Sequence, residues 1–354
     1  MKILYGIPSE GMGHATRSKV LIEHLLKEHD VRIVTSDRAY TFLDEFFPGK
    51  VYQIEGFHLA FKNGVVSKFK TFKETLKSSP KAIKVNFEKY IKVHKEFKPD
   101  LVISDFESFS FFYAKKYKLP IISIDNMQVI DRCELDIKIA KEEKKNMLVA
   151  KSVIKLKVPN CNHYLISSFF DCKVKKKNTS IIPPILRPQI INAKSKVKSG
   201  KHFIIYQSSL KEKELIRILQ ELPSQTFKVY GFNKDAKHGN VELKSFSEKG
   251  FISDLSNAKA VIANSGYSLL SEAVFLGKPV LSIPIPNQFE QLVNASFIEK
   301  EKYGRHFSEI SADNIKAFIY DLPEFKERLS TFKQSGNKET FKALDEVLSS
   351  FKIS

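Results

Sequence analysis

Short apolar runs alternate with segments of helical spacing, and the alternation occurs twice, which constrains this chain more than any other feature. Lys2–Ile7 reads as a strand, Pro8–Gly13 as a glycine-bearing turn, and His14–Lys27 as a helix with Val20, Leu21 and Leu25 at helical spacing. Further strands are expected at Val31–Thr35, Val51–Glu55, Asp100–Asp105 (DLVISD) and Pro120–Asp125 (PIISID). Helices are expected over Tyr40–Phe47, over a stretch ending near Phe97, and over Ser108–Tyr117. Ser180–Gly200 has three prolines and a Lys/Ser-rich tail, which is linker composition. The pattern then restarts with strands at His202–Tyr206, Thr226–Tyr230, Lys259–Asn264 and Pro279–Ile283, and a helix over Glu212–Gln220. Helical segments at Ala312–Leu322, Glu324–Phe332 and Glu339–Phe351 follow. Such alternation predicts parallel sheets covered on both faces. The expected fold class is α/β, with two doubly wound Rossmann-like domains facing across a cleft that is the default ligand site. The expected boundaries are residues 1–185, a linker over 186–200, a second domain over 201–335, and a helix over 336–354 that packs back on the first domain.

Composition narrows the class. The chain has 354 residues, 42% of them hydrophobic, enough for two cores. No apolar run reaches the roughly 18 residues of a membrane-spanning helix. Met1–Pro8 leads straight into a strand pattern without a secretory apolar region, so a soluble, cytoplasmic protein is expected. Cys133, Cys161 and Cys172 have no paired spacing, which argues against a disulfide framework and against a zinc site. The formal net charge of +18 calls for an anionic partner, although AT-biased coding also yields a chain rich in Lys, Phe and Ile. The excess is uneven: Lys151–Gly200 carries eleven Lys/Arg against one acid, Asp171. Phe57–Lys70 and the helix after it interleave lysines with Phe, which suits an anionic membrane surface at the inner face of the cell membrane or a solvated Lys-rich helix.

Three constellations bear on chemistry. Gly11-Met12-Gly13-His14 lies between the first strand and the first helix, where backbone N–H groups favour an anion or polar ligand. The dinucleotide fingerprint is absent, because the third glycine is missing and no acid closes the second strand. Asp105 ends the LVISD strand on the same sheet edge, so it can face His14 and leave the other imidazole nitrogen as a base. Each residue also has a plain reading, as a polar helix-start residue or a helix cap. The densest constellation is Gly250–Ala295. Ser265-Gly266 turns into a helix over Tyr267–Leu276 that offers amides and a hydroxyl to a phosphate, Glu272 lies farther along that helix, and Gly277 stops it. Glu290-Gln291 then clusters hydrogen-bonding groups past the next strand.

This segment resembles the donor-binding signature of the GT-B glycosyltransferases, families 1 and 28, including uncharacterised bacterial and archaeal members. The resemblance places Asn264, Ser265, Gly266, Tyr267 and Ser268 on the His-Cys-Gly-Trp-Asn run that binds the donor. It places Glu272 on the ribose-binding Glu, Glu290-Gln291 on the sugar-binding acid–Gln pair, and Asn294-Ala295 on the Asn-Ala that follows. Gly13-His14 matches the pair whose His is the proposed base, and LVISDF the strand whose Asp orients it. Asn264 replaces the phosphate-binding His, and Ser208 and Ser209 stand where the family often has a Gly-rich loop. Phe251 and Ile252 fall where the nucleotide base packs. The resemblance implies an acceptor-binding first domain, a nucleotide-sugar-binding second domain and an inverting transferase that needs no metal and no cofactor. UDP-sugar is the expected donor, and a lipid-linked or cell-envelope glycan is one expected acceptor. No D-x-D sequence occurs. The alternatives are a sugar-nucleotide 2-epimerase and a catalytically silent nucleotide-sugar-binding homologue; no nucleic-acid-binding motif is evident.

Overall fold

The computed structural model describes residues 1–9, 11–55, 80–197, 200–207 and 210–351. Ser208, Ser209 and the Phe57–Lys70 segment lie outside the described residues.

The chain divides into two compact units. The first comprises Met1–Asp136, Ala140–Ile185 and Asn337–Ser354, and the second Ile137–Ile139 and Leu186–Gly336. The first unit is built on β1 (Lys2–Gly6), β2 (Asp30–Thr35), β3 (Val51–Gln53), β4 (Leu101–Ser104), β5 (Ile121–Asp125), β6 (His163–Ser167) and β7 (Thr179–Ile182). These strands form one parallel sheet in the order β3-β2-β1-β4-β5-β6-β7. Its helices are α1 (Met12–Leu25), α2 (Asp37–Phe46), α3 (Pro80–Glu96), α4 (Ser108–Tyr117), α5 (Val129–Arg132) and α6 (Lys144–Lys157). Every residue of β4 and β5 is buried, as expected of parallel strands with both faces covered.

The second unit opens with α7 (Pro188–Lys194) and carries β8 (His202–Tyr206), α8 (Glu212–Gln220), β9 (Thr226–Tyr230), β10 (Ala236–His238), β11 (Val241–Leu243) and α9 (Glu248–Ser256). It continues with β12 (Ala260–Ala263), α10 (Tyr267–Phe275), β13 (Val280–Ser282), α11 (Phe289–Lys300), β14 (Gly304–His306), α12 (Ala312–Tyr320) and α13 (Leu322–Ser330). Its sheet order is β10-β11-β9-β8-β12-β13-β14, parallel except for the β10–β11 pair. The final helix, α14 (Lys338–Ser349), belongs to the first unit. Its Leu344 and Leu348 join Leu21, Leu25 and Ile33 in that core.

One expectation needs correction. The Pro-rich segment read as linker contains the end of β7 and all of α7. Pro183-Pro184 follow the edge strand, and Pro188 sits at the first position of α7, where a missing N–H costs nothing. The prolines here punctuate elements instead of dissolving them. Cys133 and Cys172 are free thiols whose sulfurs lie 3.3 Å apart, brought together by an antiparallel backbone bridge between Cys133 and Val174, a proximity their spacing does not show.

Candidate active site and donor site

Sheet order reverses between β1 and β4 in the first unit, and between β8 and β12 in the second. Ligands in open α/β sheets bind outside the strand carboxyl ends at such switch points. Both constellations lie there.

In the first unit, Gly11 adopts φ 85° and ψ 140°, a conformation that favours glycine, and turns the chain into α1. The helix begins at Met12, so Gly13 lies in its first turn and not in the preceding loop. Across the switch point, Asp105 N donates to Gly6 O at 2.9 Å. Phe106 then takes a left-handed φ of 57°, a strained conformation held by burial of its ring beneath the Lys157 ammonium. Glu107 caps α4 by accepting from Phe109 N and Ser110 N, 2.7 Å each. A Cβ on Gly6 would come within 2.1 Å of Ser110 Oγ, so glycine there lets α4 approach β1 closely. This packed turn aims Asp105 at α1.

His14 Nδ1 lies 3.0 Å from Asp105 Oδ1. The imidazole is 21% exposed and the carboxylate 1%. Arg17, one turn after His14, was not anticipated. Its Nη2 donates to Oδ1 and its Nε to Oδ2, the latter at 3.0 Å, while Ser18 Oγ donates to Oδ2 at 3.0 Å. Arg17 Nη1 also donates to Asn126 Oδ1 at 2.9 Å, just past β5. Burial pushes the Asp105 carboxyl up, but the Arg17 and His14 charges outweigh it and hold the group below the usual carboxylate range. His14 Nδ1 also lies 2.8 Å from Arg17 Nη2, which can only donate; with the hydrogen on Nδ1 the ring donates to the ionised carboxylate and Nε2 keeps the lone pair, the tautomer that a base at Nε2 requires. The signal for Arg17 was H-x-x-R, since residues three apart share a helix face.

In the second unit, α10 starts at the Ser265-Gly266 corner and stops in reversed bonds from Gly277 N to Val274 O and Lys278 N to Ala273 O. Gly266 has φ −68° and ψ 127°, open to any residue, and a Cβ there would meet nothing within 4 Å. Neither backbone nor packing requires glycine, and its lack of a side chain leaves space at the helix mouth. No side chain caps this end among the described residues.

The Ser265 hydroxyl does not face that mouth. It is fully buried and bonded to Ser282 Oγ at 2.7 Å, which takes it away from the expected contact with a phosphate. Asn264 Nδ2 donates to Ile283 O at 3.1 Å. Asn294 Nδ2 donates to Ser265 O at 3.0 Å and to Glu290 Oε1 at 3.2 Å, which anchors the corner from α11. Gln291 is turned inward, accepting from Ile285 N at 2.9 Å and donating to Gln288 Oε1 at 2.7 Å. Tyr267 is buried and Ser268 half-buried.

Glu272 is held by a residue outside the expected set. Arg187 donates from Nε and Nη2 to its two oxygens at 2.7 Å each, and from Nη1 to Glu248 Oε1 at 3.0 Å. Burial raises the Glu272 carboxyl and Arg187 opposes the rise. Phe251 and Ile252 are both buried, so neither presents the open face expected for a nucleotide base. Phe251 instead packs edge-on to Tyr206 and Tyr230. The exposed rings of that cluster are Tyr206, 40% exposed at the end of β8, and Phe246, 61% exposed. Among the described residues, no group of three or more His, Cys, Asp or Glu is placed to hold a metal ion.

A sequence model of the family described as glycosyl transferase family 1 matches residues 1–323. The chain belongs to that family. It is a glycosyltransferase, and its two α/β units are those of the GT-B fold. An uncharacterized glycosyltransferase of Methanosarcina acetivorans is 26% identical over 339 residues, covering 87% of this chain and 86% of that one. A second, from Methanosarcina mazei, is 25% identical over 339 residues, again covering 87% and 86%. Among solved structures, Phytolacca americana UGT2 complexed with UDP-2fluoro-glucose and pterostilbene superposes with a TM-score of 0.70 at 13% identity, covering 99% of this chain and 98% of that one. The glycotransferase of kitacinnamycin gives a TM-score of 0.65 at 15% identity, with 98% of each chain covered. In this glycosyltransferase no helix among the described residues is long and apolar enough to cross a membrane.

Proposed function

We propose that this glycosyltransferase moves a sugar from a nucleotide-diphosphate donor, UDP-sugar first, to an acceptor hydroxyl with inversion at the anomeric carbon. His14 Nε2 takes the acceptor proton, the freed oxygen attacks the anomeric carbon, and the bond to the diphosphate breaks. The diphosphate leaves with its charge facing the open N-terminus of α10, where backbone N–H groups and the helix dipole favour an anion. A hydroxyl of a lipid-linked or cell-envelope glycan fits this chemistry as acceptor. The observation that carries the reading is the His14–Asp105 contact at the β1/β4 switch point, with no protein partner on Nε2 among the described residues. The Phytolacca and kitacinnamycin relatives support the same chemical class through their fold.

A thermal-shift panel of nucleotide-diphosphate sugars tests the donor. A true donor at 100 times its Kd stabilises by about 2.7 kcal/mol. A panel without any shift removes the donor assignment.

Glu272 fits the ribose hydroxyls, since each oxygen retains a lone pair beyond the Arg187 fork. In Arg187→Met, burial acts on Glu272 unopposed and the carboxyl rises further. A protonated Glu272 accepts less well, so nucleotide binding in that variant is expected to weaken as pH falls from 8 to about 5. Calorimetric titrations across that range check this. Affinity that tracks wild type at every pH counts against a ribose role for Glu272. Breaking the buried pair is also expected to cost about 3–5 kcal/mol of stability, read by urea unfolding.

A further inference from the structure

We propose that Arg17 is the positioning residue of the His14–Asp105 pair, gripping the buried carboxylate at both oxygens so that Oδ1 meets the imidazole Nδ1 in one fixed orientation. The inference rests on His14 being the base. A carboxylate bonded to an imidazole alone is free to turn about its last torsion, which has a broad, shallow preference. Ser18 Oγ holds Oδ2 only, whereas the Arg17 fork fixes both oxygens, with Nε on Oδ2 and Nη2 on Oδ1. Arg17 is itself fixed by Asn126 Oδ1 at 2.9 Å and by its place one helical turn from His14. Base and clamp thus ride on one helix, and their shared carboxylate is held by another strand.

The fork also governs the proton. Asp105 is 1% exposed, and burial alone would favour its neutral form. A neutral Asp105 can donate to Nδ1 and place the imidazole hydrogen on Nε2, the tautomer that cannot accept a proton there. Arg17 keeps the carboxylate ionised and so selects the productive tautomer. The charged and titratable groups facing this cluster are His14 and Arg17 from α1, Asp105 after β4, Asp125 at the end of β5 and Tyr5 from β1. Asp125, pushed up to about 6 by burial and by the Asp105 charge, spends its oxygens on Ser123 Oγ and Gln128 N. Burial and the Asp105 charge hold the Tyr5 phenol protonated. Arg17 is therefore the cation of this set fixed at every working pH.

The test compares kcat, donor KM and pH profiles of wild type, Arg17→Lys, Arg17→Met, Asp105→Asn, the Asp105→Asn/Arg17→Met double variant and His14→Ala. Arg17→Met is expected to lose about ten-fold or more in kcat with donor KM within about three-fold, because the interaction is made at the acceptor side. Its activity is expected to fail at higher pH on the acid side than wild type, as Asp105 becomes protonated. Arg17→Lys restores the charge without the fork, so the acid side recovers while kcat stays reduced. In the Asp105→Asn background, Arg17→Met is expected to change kcat by less than about three-fold, because Arg17 acts through the Asp105 carboxylate and its 2.8 Å approach to His14 Nδ1 is no hydrogen bond while Nδ1 carries the hydrogen. That comparison also decides the matter if Arg17→Met alone fails to fold, since the double variant leaves no buried charge without a partner. A wild-type kcat and pH profile in Arg17→Met overturns the proposal, and so does a further loss of about ten-fold on the Asp105→Asn background. An active His14→Ala instead sinks the base assignment and leaves Arg17 a structural clamp.

Discussion

His14→Ala is expected to lose about 10²–10⁴-fold in kcat, the usual contribution of a positioned general base, while donor affinity stays within a few-fold. The ring, 21% exposed, lies outside the apolar cluster that holds its neighbours Ala15 and Leu21, so the fold is expected to survive. Asp105→Asn is the companion variant and behaves differently. It leaves the buried Arg17 guanidinium without its carboxylate, at a cost of about 3–5 kcal/mol in stability on top of the lost activity. Turnover assays with saturating donor, alongside urea unfolding, separate the two. A His14→Ala enzyme that transfers sugar at the wild-type rate takes the imidazole out of the reaction.

The second large effect belongs to Gly266. Its backbone lies in the extended region that β-branched residues favour, and nothing stands within 4 Å of a built Cβ. Gly266→Val is therefore expected to fold, with stability within about 1 kcal/mol of wild type: the lower entropy of the unfolded chain contributes about 0.4–1 kcal/mol, and the poorer N-cap of α10 opposes it. The same side chain stands over the α10 mouth. Losing two hydrogen bonds to a charged diphosphate, each worth about 1.5–3 kcal/mol, predicts a fall in donor affinity of about 100-fold or more. Calorimetry with a nucleotide diphosphate reads this directly. Unchanged affinity in a folded Gly266→Val protein means that the diphosphate does not sit at that helix end.

Much of the frame was legible because it depends on local periodicity. The β1, β4 and β5 runs (KILYG, LVIS and IISID) are mostly apolar without strict alternation since both faces of the sheet are covered, and that pattern survives without neighbours. The α10 stop at Gly277 was equally plain. Other elements were missed where pattern and composition compete. His163–Ser167 and Thr179–Ile182 lie in a lysine-rich stretch, and Val241–Leu243 and Gly304–His306 are too short to show a period. The prolines at 183, 184 and 188 suggested a linker because proline marks a boundary without saying what lies on either side.

At the sites, the sequence determined which residue types stand at strand ends: an imidazole after β1, a carboxylate after β4, and a small corner before α10. Those placements follow from the βα rhythm, since strand carboxyl ends of a parallel sheet share an edge. Which side chains finally pair was decided by the tertiary structure. Packing set the Arg17 fork on Asp105, turned the Ser265 hydroxyl to Ser282, buried Phe251 beneath Tyr206, and delivered Arg187 from the chain before β8 to Glu272. A side chain's donor is fixed by whichever buried group most needs one, and that balance of burial against pairing is written only in three dimensions.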